Sequence, residues 1–236
     1  MVRGHPSAIA VFSAFTGLFG LLVTVVIANP SWLSAVDTAV TTGVAETHNG
    51  TLNRTMALIT LLGDRVVIGV LLVGVTVWVI RTGRCRTPVQ VLIAAFLLNP
   101  ILEAVLKGLV GRSRPDIDRL VPGDGPAFPS GHVLATVGFY GILAVIAWRS
   151  TTKRSFAIGA LLSSSLIITL VGFSRIYLGV HWMSDVIGGF LVGSAFVIAA
   201  TYFLRDHHFG TSLRCTASDC TGRRTQPVRV PSSLAR

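Results

Sequence analysis

The stretch PSGHVLATVGFYGILAVIAW, residues 129–148, decides how this chain is read. Its second part, Val133 to Trp148, is apolar enough for a bilayer helix. Its first part puts Ser130, Gly131 and His132 at that helix's start. Free backbone N–H groups and the helix dipole make such a start a site for an anion. Gly131 lets backbone approach a ligand closely. A histidine there can exchange a proton near neutral pH. On its own, Pro-Ser before a helix is ordinary capping chemistry. The segments on either side change that balance.

Of 236 residues, 51% are hydrophobic and only 13% are charged. A soluble domain carries about 25% charged residues. The apolar residues fall in long blocks without internal repeat or long linker, which predicts one compact all-α integral membrane domain. The net charge of +10 lies mostly in short loops and tails beside those blocks. That is a topology signal that also suits anionic lipid, and no nucleic-acid partner is expected. Cys85, Cys215 and Cys220 match no zinc or redox spacing and read as spare thiols.

Six spans are expected: about Ile9–Ala28 (a retained anchor rather than a cleaved signal), Asp64–Ile80, Pro88–Val110, Val133–Trp148, Phe156–Phe173 and Trp182–Leu204. Asp64 suits an N-cap, Asn99-Pro100 predicts a kink, and Glu103 is expected buried with a partner. Residues 31–62 read as a long outer loop with a short interfacial helix from Leu52 to Ile59. The fold class is a six-transmembrane helix bundle over residues 1–204, followed by a basic tail, 205–236, expected to be disordered. By the positive-inside rule, loops 81–87 and 149–154 and both termini are cytoplasmic. Loops 29–63, 111–131 and 174–181 then face outward, yet they carry Arg112, Arg114, Arg119 and Arg175. Those arginines need another reason to be there.

Three segments at that outer face supply one. The first is Lys107-x6-Arg114-Pro115; if the helix persists, both cations share a face. The second is Pro129-Ser130-Gly131-His132. The third is Ser174-Arg175-x5-His181-x3-Asp185, where positions 181 and 185 stack on one helical face. Asp185 can accept a proton from one imidazole nitrogen of His181 and leave the other free to act. Three cations, a helix start, two histidines and a carboxylate fit a phosphate. In that reading His181 attacks phosphorus, His132 protonates the departing oxygen, and the cations stabilise the transferred group. No carboxylate cluster is placed to hold Mg²⁺, so neither metal nor other cofactor is expected.

The pattern Lys-x6-Arg-Pro, Pro-Ser-Gly-His and Ser-Arg-x5-His-x3-Asp, complete and in order across residues 107–185, resembles the type 2 phosphatidic acid phosphatase superfamily. The resemblance implies phosphate binding by Lys107, Arg114, Ser130, Gly131 and Arg175. It implies His132 as general acid, His181 as nucleophile and Asp185 as its orienting partner. It also implies a lipid phosphate substrate, processed at the outer face of a bacterial plasma membrane. A polyprenyl diphosphate suits the compact chain best, with phosphatidate or phosphatidylglycerophosphate as the alternative. Eighteen arginines against two lysines suggest a GC-rich bacterial genome.

Plainer roles exist for each piece. Lys107 and Arg114 could be snorkelling anchors, Ser130 only a cap, His181 and Asp185 only a structural pair. Their joint occurrence on one face favours catalysis. The rival from another class is a membrane protein that binds or moves anionic lipid without catalysis. Six lipid-length spans argue against a vanadate-using haloperoxidase. Arg112 and Arg119 stay open between substrate contact and pairing with Asp116, Asp118 and Asp124. His5, His48, His207 and His208 read as solvated or interfacial, and Trp32, Trp78, Trp148 and Trp182 as interface-belt residues. The sequons at Asn49 and Asn53 carry little weight.

Overall fold

The computed structural model describes residues 6–83 and 85–204. In order these form α1 (Pro6–Ala28), α2 (Ser31–Ala45), α3 (Gly50–Thr60), a 3₁₀ turn (Leu61–Gly63), α4 (Arg65–Arg81), α5 (Thr87–Val110), α6 (Gly131–Ser150), α7 (Arg154–Tyr177) and α8 (Met183–Phe203). Five helices are long and apolar enough to cross a membrane, and a sixth span is reached where α3 and α4 meet at a 50° bend. This is the expected all-α membrane bundle. At 17 residues, α4 rises about 25 Å, short of the roughly 30 Å apolar thickness of a bilayer. The Asp64 side chain accepts the Val66 N–H at 2.7 Å and caps α4 as expected. Helix α5 continues through Pro100 and ends at Gly111, whose φ of 62° suits glycine.

Residues 31–45 and 50–60 are helical, so the expected long loop is two helices joined at 46–49, and the short helix expected from Leu52 to Ile59 lies within α3. Helix α2 buries Leu33, Asp37 and Thr41, four residues apart on one face. Two of those three are polar, so the buried face has no hydropathic signature. The tail 205–236, with Cys215, Cys220, His207 and His208, lies outside the described residues, as does His5. Cys85 is only 7% exposed.

The bundle is built around α6. Its apolar window is 61% buried, against 6% for α1, which faces outward along most of its length. Ile68 and Leu72 of α4, Leu92 of α5, Phe139 and Ile142 of α6 and Ala200 of α8 share the main core. Helix α8 lies directly against the α6 backbone. A Cβ on Gly189 would come within 2.6 Å of the Ser130 carbonyl oxygen, and one on Gly193 within 2.6 Å of Val137 Cβ. Small residues at four-residue spacing permit this approach between membrane helices. It sets the start of α6 beside the start of α8, where the Ser130 N–H donates to the Asp185 carbonyl at 3.0 Å. Up-and-down threading brings the starts of α4, α6 and α8 and the ends of α5 and α7 to one end of the bundle. The basic residues Arg81, Arg86, Arg149 and Lys153 sit at the other ends of those helices.

Candidate active site

His181 lies in the turn between α7 and α8 and is 2% exposed. Its Nδ1 is 3.5 Å from Asp185 Oδ2 and has no hydrogen-bonding partner. The contact is long for a hydrogen bond. It does not arise from stacking within a helix, because His181 precedes α8. Asp185 folds back instead, in the first turn of α8, where the helix dipole favours its charge. There Oδ2 accepts the Trp182 N–H at 2.9 Å.

On the other side of the ring, Arg114 Nη1 is 3.3 Å from His181 Nε2. A guanidinium has donors only. The contact therefore assigns a lone pair to Nε2 and the proton to Nδ1, facing Asp185. Burial pushes the His181 pKa down to about 4, against the pull of Asp185 and with Arg175 and Arg114 adding to the depression. The ring is neutral at pH 7, as a nucleophile requires.

Arg114 is not on α5. The helix stops at Val110, so the shared-face expectation for Lys107 and Arg114 does not hold. Arg114 lies in the connecting loop, where it donates to the carbonyls of Val180 (2.7 Å), Asp124 (2.8 Å) and Gly125 (3.0 Å). It pins the loop to the His181 turn, and burial lowers its pKa from the usual arginine value. Lys107 stays on α5, with Nζ 2.7 Å from Glu103 Oε1. Glu103 also bonds Arg65 of α4, so it is buried with partners as expected. Its carboxylate fills the space that a Gly131 Cβ would need. That close approach explains the glycine independently of any ligand.

Ser130 precedes α6 and is completely buried, yet its side chain does not cap the helix. The plainer reading of Ser130 as a cap is excluded. Its Oγ has no partner, and neither has the Nε of Arg175. Arg175, in the last turn of α7, is 7% exposed. Its only side-chain hydrogen bond among the described residues is Nη1 to Thr60 Oγ1 at 2.9 Å, and it forms no ion pair with a carboxylate there. His132, in the first turn of α6, makes no hydrogen bond through its ring among those residues.

Arg112 and Arg119 do not pair with Asp116, Asp118 or Asp124 among the described residues. Arg119 Nη2 donates to the Pro115 carbonyl at 2.6 Å. Arg112 donates to Asp185 Oδ1 (2.8 Å), Ser184 Oγ (2.5 Å) and Asp37 Oδ2 (2.7 Å). Asp116, Asp118 and Asp124 are not its partners. His48 is not merely solvated: Asp118 Oδ2 is 2.7 Å from Nδ1, and the Tyr177 carbonyl accepts at 2.8 Å from Nε2. Trp182 is more than a belt residue, since its Nε1–H donates to the Ser113 carbonyl at 2.9 Å. Asp37 was not singled out from sequence. The available signal was that it is the one charged residue between Ser31 and Ala45.

Comparison with known proteins bears on this arrangement. Phosphatidylglycerophosphatase B of Bacillus subtilis (strain 168) is 36% identical over 107 residues, 43% of this chain and 51% of that protein. YbjG of Escherichia coli (strain K12), provisionally named an undecaprenyl-diphosphatase, is 36% identical over 67 residues, 28% of this chain and 29% of that one. The chain thus spans about half the length of the first curated relative and under a third of the second. The crystal structure of a transmembrane PAP2-type phosphatidylglycerolphosphate phosphatase from Bacillus subtilis superposes with a TM-score of 0.74. It is 27% identical and covers 82% of this chain and 96% of that one. Aquifex aeolicus LpxE shares the fold, with a TM-score of 0.58, 23% identity and coverage of 70% and 94%. The PAP2 superfamily sequence pattern matches residues 88–209, more than half of the chain and all three segments that meet at His181. This chain belongs to the PAP2 superfamily.

Proposed function

We propose that this protein is an integral membrane phosphatase that hydrolyses a lipid phosphate or diphosphate through a phosphohistidine intermediate. One observation carries the reading. Among the described residues Arg175 is a buried cation with no carboxylate partner, and its Nε and the Ser130 Oγ are both unpaired donors. Burying an uncompensated charge costs several kcal/mol. A phosphate group supplies the missing acceptors and the counter-charge together.

The roles follow from the atoms. The phosphoryl group rests on Arg175, the Ser130 hydroxyl, the Gly131 N–H at the start of α6, Lys107 and Arg114. The Nε2 lone pair of His181 attacks the terminal phosphorus in line, and the bond to the leaving oxygen breaks, the ester oxygen of a lipid monophosphate or the bridging oxygen of a lipid diphosphate. His132 delivers a proton to that oxygen. Nδ1–H of His181 carries the ring's positive charge toward Asp185. Water then attacks the phosphohistidine, His132 takes its proton, and inorganic phosphate leaves with Nε2 restored.

The relatives support two head-group classes, a glycerophospholipid monoester and a polyprenyl diphosphate. The reaction is proposed for the outer membrane face, with cytoplasmic termini, because the basic loops lie at the opposite end. The test is phosphate release by detergent-purified protein, with EDTA present, from phosphatidylglycerophosphate, phosphatidate and a polyprenyl diphosphate. Release that His181→Ala lowers at least about 10⁴-fold is expected. Release unaffected by that substitution defeats the nucleophile assignment. No release from any substrate favours a non-catalytic lipid-binding protein.

A further inference from the structure

We infer that Asp37 and Arg112 form a positioning relay that sets the orientation and charge of Asp185 behind the proposed nucleophile. The inference rests on the phosphatase reading and adds two residues to it that do not touch substrate.

Asp37 comes from α2, outside the three motif segments, and is 1% exposed. Its Oδ1 accepts the Ser184 N–H at 3.0 Å. Its Oδ2 accepts the Ser184 hydroxyl at 2.5 Å and Arg112 Nη2 at 2.7 Å. Arg112 turns its other terminal nitrogen to Asp185 Oδ1 at 2.8 Å. With Oδ2 held by the Trp182 N–H, both oxygens of Asp185 are fixed. Oδ2 is left facing His181 Nδ1.

Charge explains why the network has two carboxylates. Arg112 alone would neutralise Asp185 and leave little to stabilise the imidazolium that forms when Nε2 takes the phosphoryl group. Asp37 shares the guanidinium, so the trio keeps a net charge of one carboxylate. Bonds within the trio are charge-assisted and shielded from water. The other charged and titratable groups around His181 are Arg114 from the loop, Arg175 from α7 and His132 from α6. Among the described residues Asp185 is the acidic group in contact with the ring, and its charge raises the ring's basicity against the larger effect of burial.

The test is Asp37→Asn, which keeps the shape and removes the charge. Two readouts are taken on detergent-purified full-length protein: steady-state kinetics and ¹⁵N-histidine NMR titration of His181. The expected result is a kcat at least about tenfold lower, with KM within about twofold, because the phosphate-holding groups are untouched. The His181 titration should move to lower pH, since a negative charge behind the ring has been removed. A folded variant with unchanged kcat and an unmoved His181 titration overturns the relay. If Asp37→Asn does not fold, the double variant Asp37→Asn with Arg112→Gln decides by the same kcat criterion. Wild-type kcat in it, or loss of fold in both variants, marks the network as structural and overturns the inference. The NMR readout needs no turnover. An inactive wild type defeats the phosphatase reading, while the titration shift still reports on the relay.

Discussion

Two arginines near His181, Arg112 half-buried and Arg175 buried, are held in opposite ways. Arg112 is enclosed by Asp37, Asp185 and the Ser184 hydroxyl. Arg175 has the Thr60 hydroxyl and no carboxylate. The first side is complete in itself. The second is stable only to the extent that the surrounding fold tolerates an uncompensated cation. A site that leaves a buried charge unpaired keeps binding energy in reserve for an anion, at the expense of stability.

The comparison breaks most clearly under the same substitution on each side. Arg112→Met strands two buried carboxylates and should cost about 3–5 kcal/mol of stability. Arg175→Met removes an unpaired cation and should raise the melting temperature by several degrees, while lowering kcat/KM about 10²–10³-fold. Thermal unfolding in detergent, with and without inorganic phosphate, measures both. Phosphate should raise the midpoint of the wild type and not of Arg175→Met. Equal destabilisation by the two substitutions would erase the distinction between the sides.

His132 sharpens the substrate side. A general acid matters in proportion to the basicity of the leaving oxygen. His132→Ala should therefore lower turnover of a lipid monoester about 10²–10⁴-fold. It should slow single-turnover phosphorylation by p-nitrophenyl phosphate far less, because that leaving group departs without a proton, whereas hydrolysis of the phosphohistidine is common to both substrates. Parallel single-turnover kinetics on the two substrates decide it. Equal losses on both would assign His132 to binding.

The two sides also differ in how legible they are from sequence. Span positions follow from hydropathy because lipid-facing and core-facing residues of these helices are alike apolar, and Asp64 is readable as a cap because capping is local. The substrate side is carried by short segments at fixed spacing, so Ser130, His132, Arg175, His181 and Asp185 could be named in advance. Their geometry was less accessible. Arg114 left the helix because Gly111 ended it. The Gly131–Glu103 contact pairs residues of two helices with no local pattern. The relay side was nearly invisible. Asp37 looked like a loop acid because α2 buries a half-polar face. Pairing of Arg112 with Asp116, Asp118 or Asp124 is one of the two expectations from sequence, and its acidic partners lie on α2 and α8. Long-range ion pairing leaves no periodicity to read.

The smallest expected effect is on stability against pH, and His181 sets its direction. Its folded pKa of about 4 lies below the ordinary 6.5 because burial disfavours the imidazolium. Between those values the unfolded chain binds the proton and the folded one does not, so stability rises with pH across this window. His181 contributes fully above about pH 6.5, and its contribution is lost as pH falls through about 4, at most about 3 kcal/mol in all. Thermal unfolding of the wild type and His181→Gln from pH 7.5 to 4 isolates it. The wild type should lose stability faster on acidification, because glutamine has no proton to take up. Parallel curves would mean that the ring charges as easily inside the fold as outside. The depression by burial would then be absent, while Nε2 would still be mostly neutral at pH 7, above the ordinary value of 6.5.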